Sequence, residues 1–131
     1  MILPSRSARL RLLIAVSATL VSCALLRPGP ADTVRSFYAA VEKGDFDAAL
    51  SFVAKELRSS LGEDKLRAGL AEQRRTIQAK KGVSDLSVVE GEVTDQVAKV
   101  KVTVTFGDNS SDTEDWKLIK EDGRWRVTAN K

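Results

Sequence analysis

The chain has 131 residues, with 21 Lys and Arg against 18 Asp and Glu, one Cys and no His. That length suits one domain, and 30% charged with 43% hydrophobic residues excludes a polytopic membrane protein and a wholly disordered chain. A lone Cys excludes intrachain disulfides and multi-Cys zinc sites, and a chain without His lacks the commonest proton shuttle and metal ligand, so neither a metal nor a cofactor is expected.

Residues 1–22 carry Arg6, Arg9 and Arg11 and no acid, and Leu12 to Ser22 are uncharged. A basic stretch before a short apolar one has the layout of a signal peptide. Fifteen uncharged residues lie between Arg11 and Arg27. At about 1.5 Å per residue they span about 23 Å, short of the roughly 30 Å a retained helix must cross. The run ends in Leu20, Val21, Ser22 and Cys23. These four resemble the bacterial lipobox, which implies cleavage before Cys23 and attachment of diacylglycerol to its sulfur. An uncleaved anchor and ordinary cleavage at Ser22-Cys23-Ala24 are the alternatives. A lipid site accounts for a lone Cys in an exported chain, and two or more acyl chains give stable anchoring. Ala24 in the second mature position, where Asp resembles an inner-membrane retention signal, points to an outer membrane facing the periplasm in a Gram-negative source. Residues 23–30 then form the lipidated Cys and a tether punctuated by Pro28, Gly29 and Pro30, and residues 31–131 the folded domain.

Val34, Phe37, Tyr38 and Val41 form the i, i+3, i+4, i+7 stripe of a first helix, stopped at Gly44. Asp45 caps a second, with Phe46, Ala49, Leu50, Val53 and Leu57 on one face and Phe52 off it. Asp64 to Lys80 form a third around Leu66, Leu70 and Ile77, ended by Gly82. The period then changes to two. Leu86 and Val88 alternate, followed after a turn by Val100, Val102, Val104 and Phe106, with Lys99, Lys101, Thr103 and Thr105 facing the other way. Trp116 and Leu118 share a face on the next strand. Asp122-Gly123 signals a hairpin, and Trp125, Val127 and Ala129 share a face on the last strand. Helices before strands predict an α+β fold: three N-terminal helices packed in a strongly curved antiparallel sheet of about four strands.

Two segments carry a family resemblance. Ala31 to Leu50 holds an aromatic-rich helix, a Gly-Asp turn, an aromatic residue and Ala-Ala-Leu. Val97 to Val127 holds the Val strand and the run from Trp116 to Val127. Together, beside a lipobox, they resemble the nuclear transport factor 2-like (cystatin-like) superfamily and, within it, the lipoprotein family called domain of unknown function 4878. The resemblance implies a cone in which the sheet wraps the helices and can leave a cavity. It implies no activity. Pocket candidates are Phe37, Tyr38, Val41, Phe46 and Leu70 from the helices and Val102, Val104, Phe106, Trp116, Leu118 and Trp125 from the sheet. Each of them also suits plain core.

Catalytic relatives of that fold, such as ketosteroid isomerase, use an acid, a Tyr or a His inside the cone. A cavity enzyme of isomerase or dehydratase type built on Tyr38 and an acid is therefore the alternative to a non-catalytic domain that binds a small apolar ligand or docks to an envelope protein. Glu90 and Glu92 share the parity of Leu86 and Val88 and are candidates for a cavity mouth or a solvated strand end. No catalytic triad, phosphate loop or metal spacing is present, so no enzyme is expected. Arg67, Arg74 and Lys81 recur every seven residues and form a candidate basic rim, facing a cleft or anionic lipid, or merely solvated. A homodimer through the outer sheet face is a further reading.

The formal charge of +3 and the pI near 9.2 at first suggest an acidic partner. All three surplus charges are the arginines of residues 1–22, and the rest balances at 18 basic and 18 acidic side chains. Residues 27–81 hold 11 basic and 8 acidic side chains, and residues 82–131 hold 7 and 10. The domain thus has a basic helix layer and an acidic sheet layer, and no nucleic-acid partner is expected.

Overall fold

The computed structural model describes residues 27–130. Leu20, Val21, Ser22 and Cys23 lie outside them. The elements are α1 (Pro30–Lys43), α2 (Phe46–Ser51), α3 (Lys55–Leu61), α4 (Glu63–Ala79), β1 (Val83–Val93), β2 (Val97–Phe106), β3 (Ser111–Glu121) and β4 (Arg124–Thr128). The strands form one antiparallel sheet in the order β1-β2-β3-β4. Helices precede a curved antiparallel sheet, as the change of period predicts. No helix among the described residues is long and apolar enough to cross a membrane.

Helix α1 starts at Pro30, whose missing N–H suits a first helical position. The Asp32 carboxylate accepts the Gly29 N–H at 3.2 Å, and Gly44 closes the helix at φ +76°. Its stripe of Val34, Phe37, Tyr38 and Val41 is buried.

The expected second helix is two. The chain leaves α2 after Ser51, and Val53 makes a parallel bridge to Val127. Val127 N–H donates to Phe52 O at 2.7 Å, and Ala54 N–H to Val127 O at 2.9 Å. The edge of β4 therefore satisfies backbone groups that a continuous helix would have paired within itself. Side-chain spacing does not reveal this break, because Val53 is buried either way. Phe52 is half-buried against the core.

Strand β2 alternates as expected. Ala98, Val100, Val102, Val104 and Phe106 are buried, while Lys99 and Lys101 are exposed. Register shifts between Val83 and Asp85 and between Glu90 and Val93 interrupt the β1–β2 ladder, and such irregularities bend a strand. Asp122 and Gly123 both have positive φ, 50° and 75°, the backbone a tight hairpin turn needs. Leu118, Val34, Val41 and Val102 are the most deeply buried large side chains.

Two exposed ion pairs join a base of the helix layer to an acid of the sheet layer: Lys55–Asp122 at 2.9 Å and Lys80–Asp112 at 3.4 Å. Exposed pairs contribute little stability, but these follow the opposite signs of the two layers.

The end of α4 is stapled to the β2–β3 loop. Gly107 N–H donates to Gly82 O at 2.9 Å. A Cβ at Gly107 would overlap the Lys81 carbonyl oxygen and come within 2.8 Å of the Lys81 Cβ. Gly107→Ala is therefore expected to lower unfolding free energy by about 1–3 kcal/mol in urea titration. Gly69, mid-helix with nothing near its missing Cβ, is the contrast: Gly69→Ala should raise stability by about 0.5–1 kcal/mol. Equal effects at both sites would contradict this packing.

Candidate ligand cavity

A cavity of about 390 Å³ lies between α4 and the inner face of β2 and β3. The size suits a small molecule. Helix α1 contributes Tyr38, and α4 contributes Gln73, Thr76 and Ile77. Strand β2 contributes Val102, Val104 and Phe106, and β3 contributes Asp112, Glu114 and Trp116.

Five of the eleven pocket candidates line it: Tyr38, Val102, Val104, Phe106 and Trp116. Phe37, Val41, Leu70 and Leu118 belong to the buried core, and Phe46 packs half-buried against it. Trp125 also belongs to the buried core and borders a different concavity beside Arg27.

Asp112 and Glu114 are the residues that sequence reasoning missed, and a signal was there. They have the parity of Trp116 and Leu118, so they share the inner face of the strand. The register puts Asp112 opposite Val104 and Glu114 opposite Val102. These acids follow the polar run Gly107 to Ser111 directly, yet β3 already begins at Ser111. The inner-face alternation therefore extends four residues before Trp116. Gln73 lies in the Leu66, Leu70, Ile77 stripe and escapes it only by being polar, whereas Thr76 lies beside the stripe.

The aromatic wall is ordered. Tyr38 and Trp116 stack at 5.5 Å between ring centroids, and Phe37 meets Trp116 edge-on at 5.6 Å. The Trp116 indole N–H donates to Glu114 Oε2 at 3.2 Å. Asp112 accepts from Lys80, whose ammonium also lies 4.6 Å from the Phe106 ring centroid.

Tyr38 is only 6% exposed, yet its hydroxyl makes no hydrogen bond among the described residues. The one fully enclosed side-chain polar atom found without a partner among them is Arg58 Nε, so the Tyr38 hydroxyl is not sealed off. Burial pushes the Tyr38 phenol up to about 12, and Glu114 and then Asp112 add to the effect. A raised value means that the neutral phenol is favoured in the folded state. Stability from this group is thus fully present below about pH 10 and is lost as pH rises toward about 12. Tyr38 is the only Tyr, so ultraviolet difference absorbance reads it alone. The expected midpoint is about 12, moved down by Glu114→Gln. A midpoint at the ordinary 10 would contradict the cavity's burial and negative field.

The candidate basic rim residues lie outside the cavity lining. Arg67 pairs with Asp47 of α2, and Arg74 Nε donates to Glu42 O at the end of α1, 3.1 Å away. Lys81 lies beyond α4 with φ +66°, so the seven-residue repeat does not continue on the helix. The Arg67 and Arg74 side chains staple α4 to α2 and α1, and none of the three lines the cavity. Glu90 and Glu92 are exposed, and Glu90 Oε1 accepts Ala31 N–H at 3.4 Å. It sits at the positive end of α1, not at the cavity. No three acids or Cys among the described residues are grouped to hold a metal.

A family model described as "Domain of unknown function (DUF4878)" matches residues 21–128. No curated protein matches the chain. Among solved structures, it is similar to a Campylobacter jejuni protein described as a candidate NTF2-like transpeptidase. The TM-score is 0.67 at 23% identity, over 79% of this chain and 100% of that one. It is also similar to RPA3114, a SEC-C motif-containing protein from Rhodopseudomonas palustris. There the TM-score is 0.56 at 21% identity, over 76% of this chain and 75% of that one. The fold is nuclear transport factor 2-like.

Proposed function

Because the chain belongs to the domain of unknown function 4878 family, whose description names no activity, we propose a function from the cavity itself: a non-catalytic envelope protein, anchored by lipid at Cys23, that binds a small ligand with an apolar body and a cationic or hydrogen-bond-donating head. One observation carries it. Asp112 and Glu114 face the same cavity as the aromatic wall and the unpartnered Tyr38 hydroxyl. The valines, Phe106 and Trp116 suit an apolar body. The carboxylates suit a positive head, and the hydroxyl offers one donor and one acceptor. An anionic head would meet the negative field of Glu114 and Asp112, which adds to burial in raising the Tyr38 phenol.

Binding is favoured over chemistry. A phenol at about 12 is a hydrogen-bonding group at neutral pH and a poorly matched proton shuttle. The lining also offers no Cys, Ser or His, which argues against carrying the Campylobacter neighbour's transpeptidase description to this chain. The test is a Trp emission titration with decylamine and with decanoate. Decylamine should shift the emission saturably and decanoate should not; tighter binding of decanoate would overturn the reading.

The anchor rests on the lipobox-like run Leu20 to Cys23 and the lone Cys. In cells fed radioactive palmitate, Cys23→Ala is expected to abolish labelling and membrane association. Unchanged labelling would remove the anchor.

A further inference from the structure

A second concavity, of about 670 Å³, lies where the chain enters the domain. Arg27 and Pro28 form part of its wall, the β3–β4 turn another part, and Phe52 and Trp125 give it an apolar lining. Three arginines line it, Arg27, Arg124 and Arg126, against one acid, Asp122. That acid is already paired with Lys55 at 2.9 Å. Arg126 donates to the Ser51 carbonyl. Arg27 and Arg124 make no hydrogen bond or ion pair among the described residues. The ammonium of Lys120 lies 5.3 Å from the Trp125 ring centroid and adds a further charge.

We propose that this arginine-lined face docks on the anionic phospholipid headgroups of the membrane that holds the anchor. The inference rests on the reading that Cys23 is acylated. Three residues separate Cys23 from Arg27, so four Cα steps span at most about 14 Å. A bilayer that holds Cys23 therefore keeps Arg27 within reach of its headgroup layer. Charge complementarity selects the occupant: Arg27 and Arg124 are exposed, and basic side chains near an anionic leaflet are attracted one by one.

The docking also orients the ligand cavity. Asp112 and Asp122 sit at opposite ends of the β3 hairpins, ten residues apart, or about 33 Å at 3.3 Å per residue along a strand. With the β3–β4 turn on the headgroups, the Asp112 end of the cavity points away from the bilayer toward the envelope space.

The test uses the acylated full-length product in vesicles. Trp116→Phe leaves Trp125 as the only Trp, and its quenching by headgroup spin-labelled lipid is compared in phosphatidylglycerol-containing and pure phosphatidylcholine vesicles. Stronger quenching with phosphatidylglycerol is expected. It should fall to the phosphatidylcholine level in the Arg27→Glu, Arg124→Glu variant, with about a fivefold loss of the docked population for each arginine. The charge-matched Lys99→Glu, Lys101→Glu variant on the outer sheet face should keep the quenching. Equal quenching in both vesicles, or an equal fall in the control variant, overturns the docking. Palmitate labelling of the same sample separates the two readings. Acylation without lipid-type dependence sinks the docking alone, and absent acylation sinks both.

Discussion

Leu118→Ala is expected to lower the free energy of unfolding by about 3–4 kcal/mol, with an unchanged dependence on urea concentration. Leu118 is completely buried on β3. It pairs with Ala98 of β2 on one side and Val127 of β4 on the other. The small side chain of Ala98 leaves no bulk to collapse into a hole at Leu118, so the cavity term adds to the transfer term. Val89→Ala is the contrast. Val89 is 59% exposed on β1, and its loss should cost no more than about 0.5 kcal/mol. A small effect at Leu118 would mean that the inner face of the sheet does not hold the core.

Thr76→Trp should weaken decylamine binding by at least about 100-fold while changing stability by less than about 1 kcal/mol. Thr76 lines the cavity from α4 but is exposed. An indole there can enter the cavity space without displacing core. Tyr38→Phe is the finer probe. Its hydroxyl has no partner to lose among the described residues, so stability should stay level or rise slightly. Affinity for a ligand that bonds the hydroxyl should fall about 10-fold. Calorimetry separates these from an unfolding effect, because a misfolded variant loses its thermal transition together with its binding. Thr76→Trp with intact binding would place the ligand elsewhere.

Most of the fold was legible because hydrophobic period follows burial. The stripe of Val34, Phe37, Tyr38 and Val41 and the alternation from Val100 to Phe106 each report a face that packs. The break at Phe52 to Ala54 was not legible, because its cause is a backbone pairing with Val127, and side-chain spacing carries no trace of that. The cavity was half legible. Tyr38, Trp116, Val102, Val104 and Phe106 are apolar positions that any packed face would show, and nothing local tells a wall from a core. The distinguishing residues, Asp112 and Glu114, have the right parity but directly follow the polar run Gly107 to Ser111. Their meaning depends on β3 reaching back to Ser111 and on the register that sets them against Val104 and Val102. The repeat of Arg67, Arg74 and Lys81 lies outside the cavity lining for a related reason. Its period was real for the first two, but α4 ends at Ala79, and those two are used to hold helices together.

The charge division has a physical outcome as well. The helix layer and sheet layer of opposite sign meet in Lys55–Asp122 and Lys80–Asp112. Arginines gather beside the tether, and acids gather at the far end of β3. A chain with no net side-chain charge after residue 22 thus presents two ends of opposite character.

Native mass spectrometry of the acylated protein, purified from its own envelope, reads the occupancy of the cavity. Covalent acyl mass is first read from the denatured chain. A retained small molecule bearing a basic nitrogen or another donor head is expected on the parent protein and absent from Thr76→Trp. A ligand-free mass for the parent, or a retained carboxylate that survives Thr76→Trp, would contradict it.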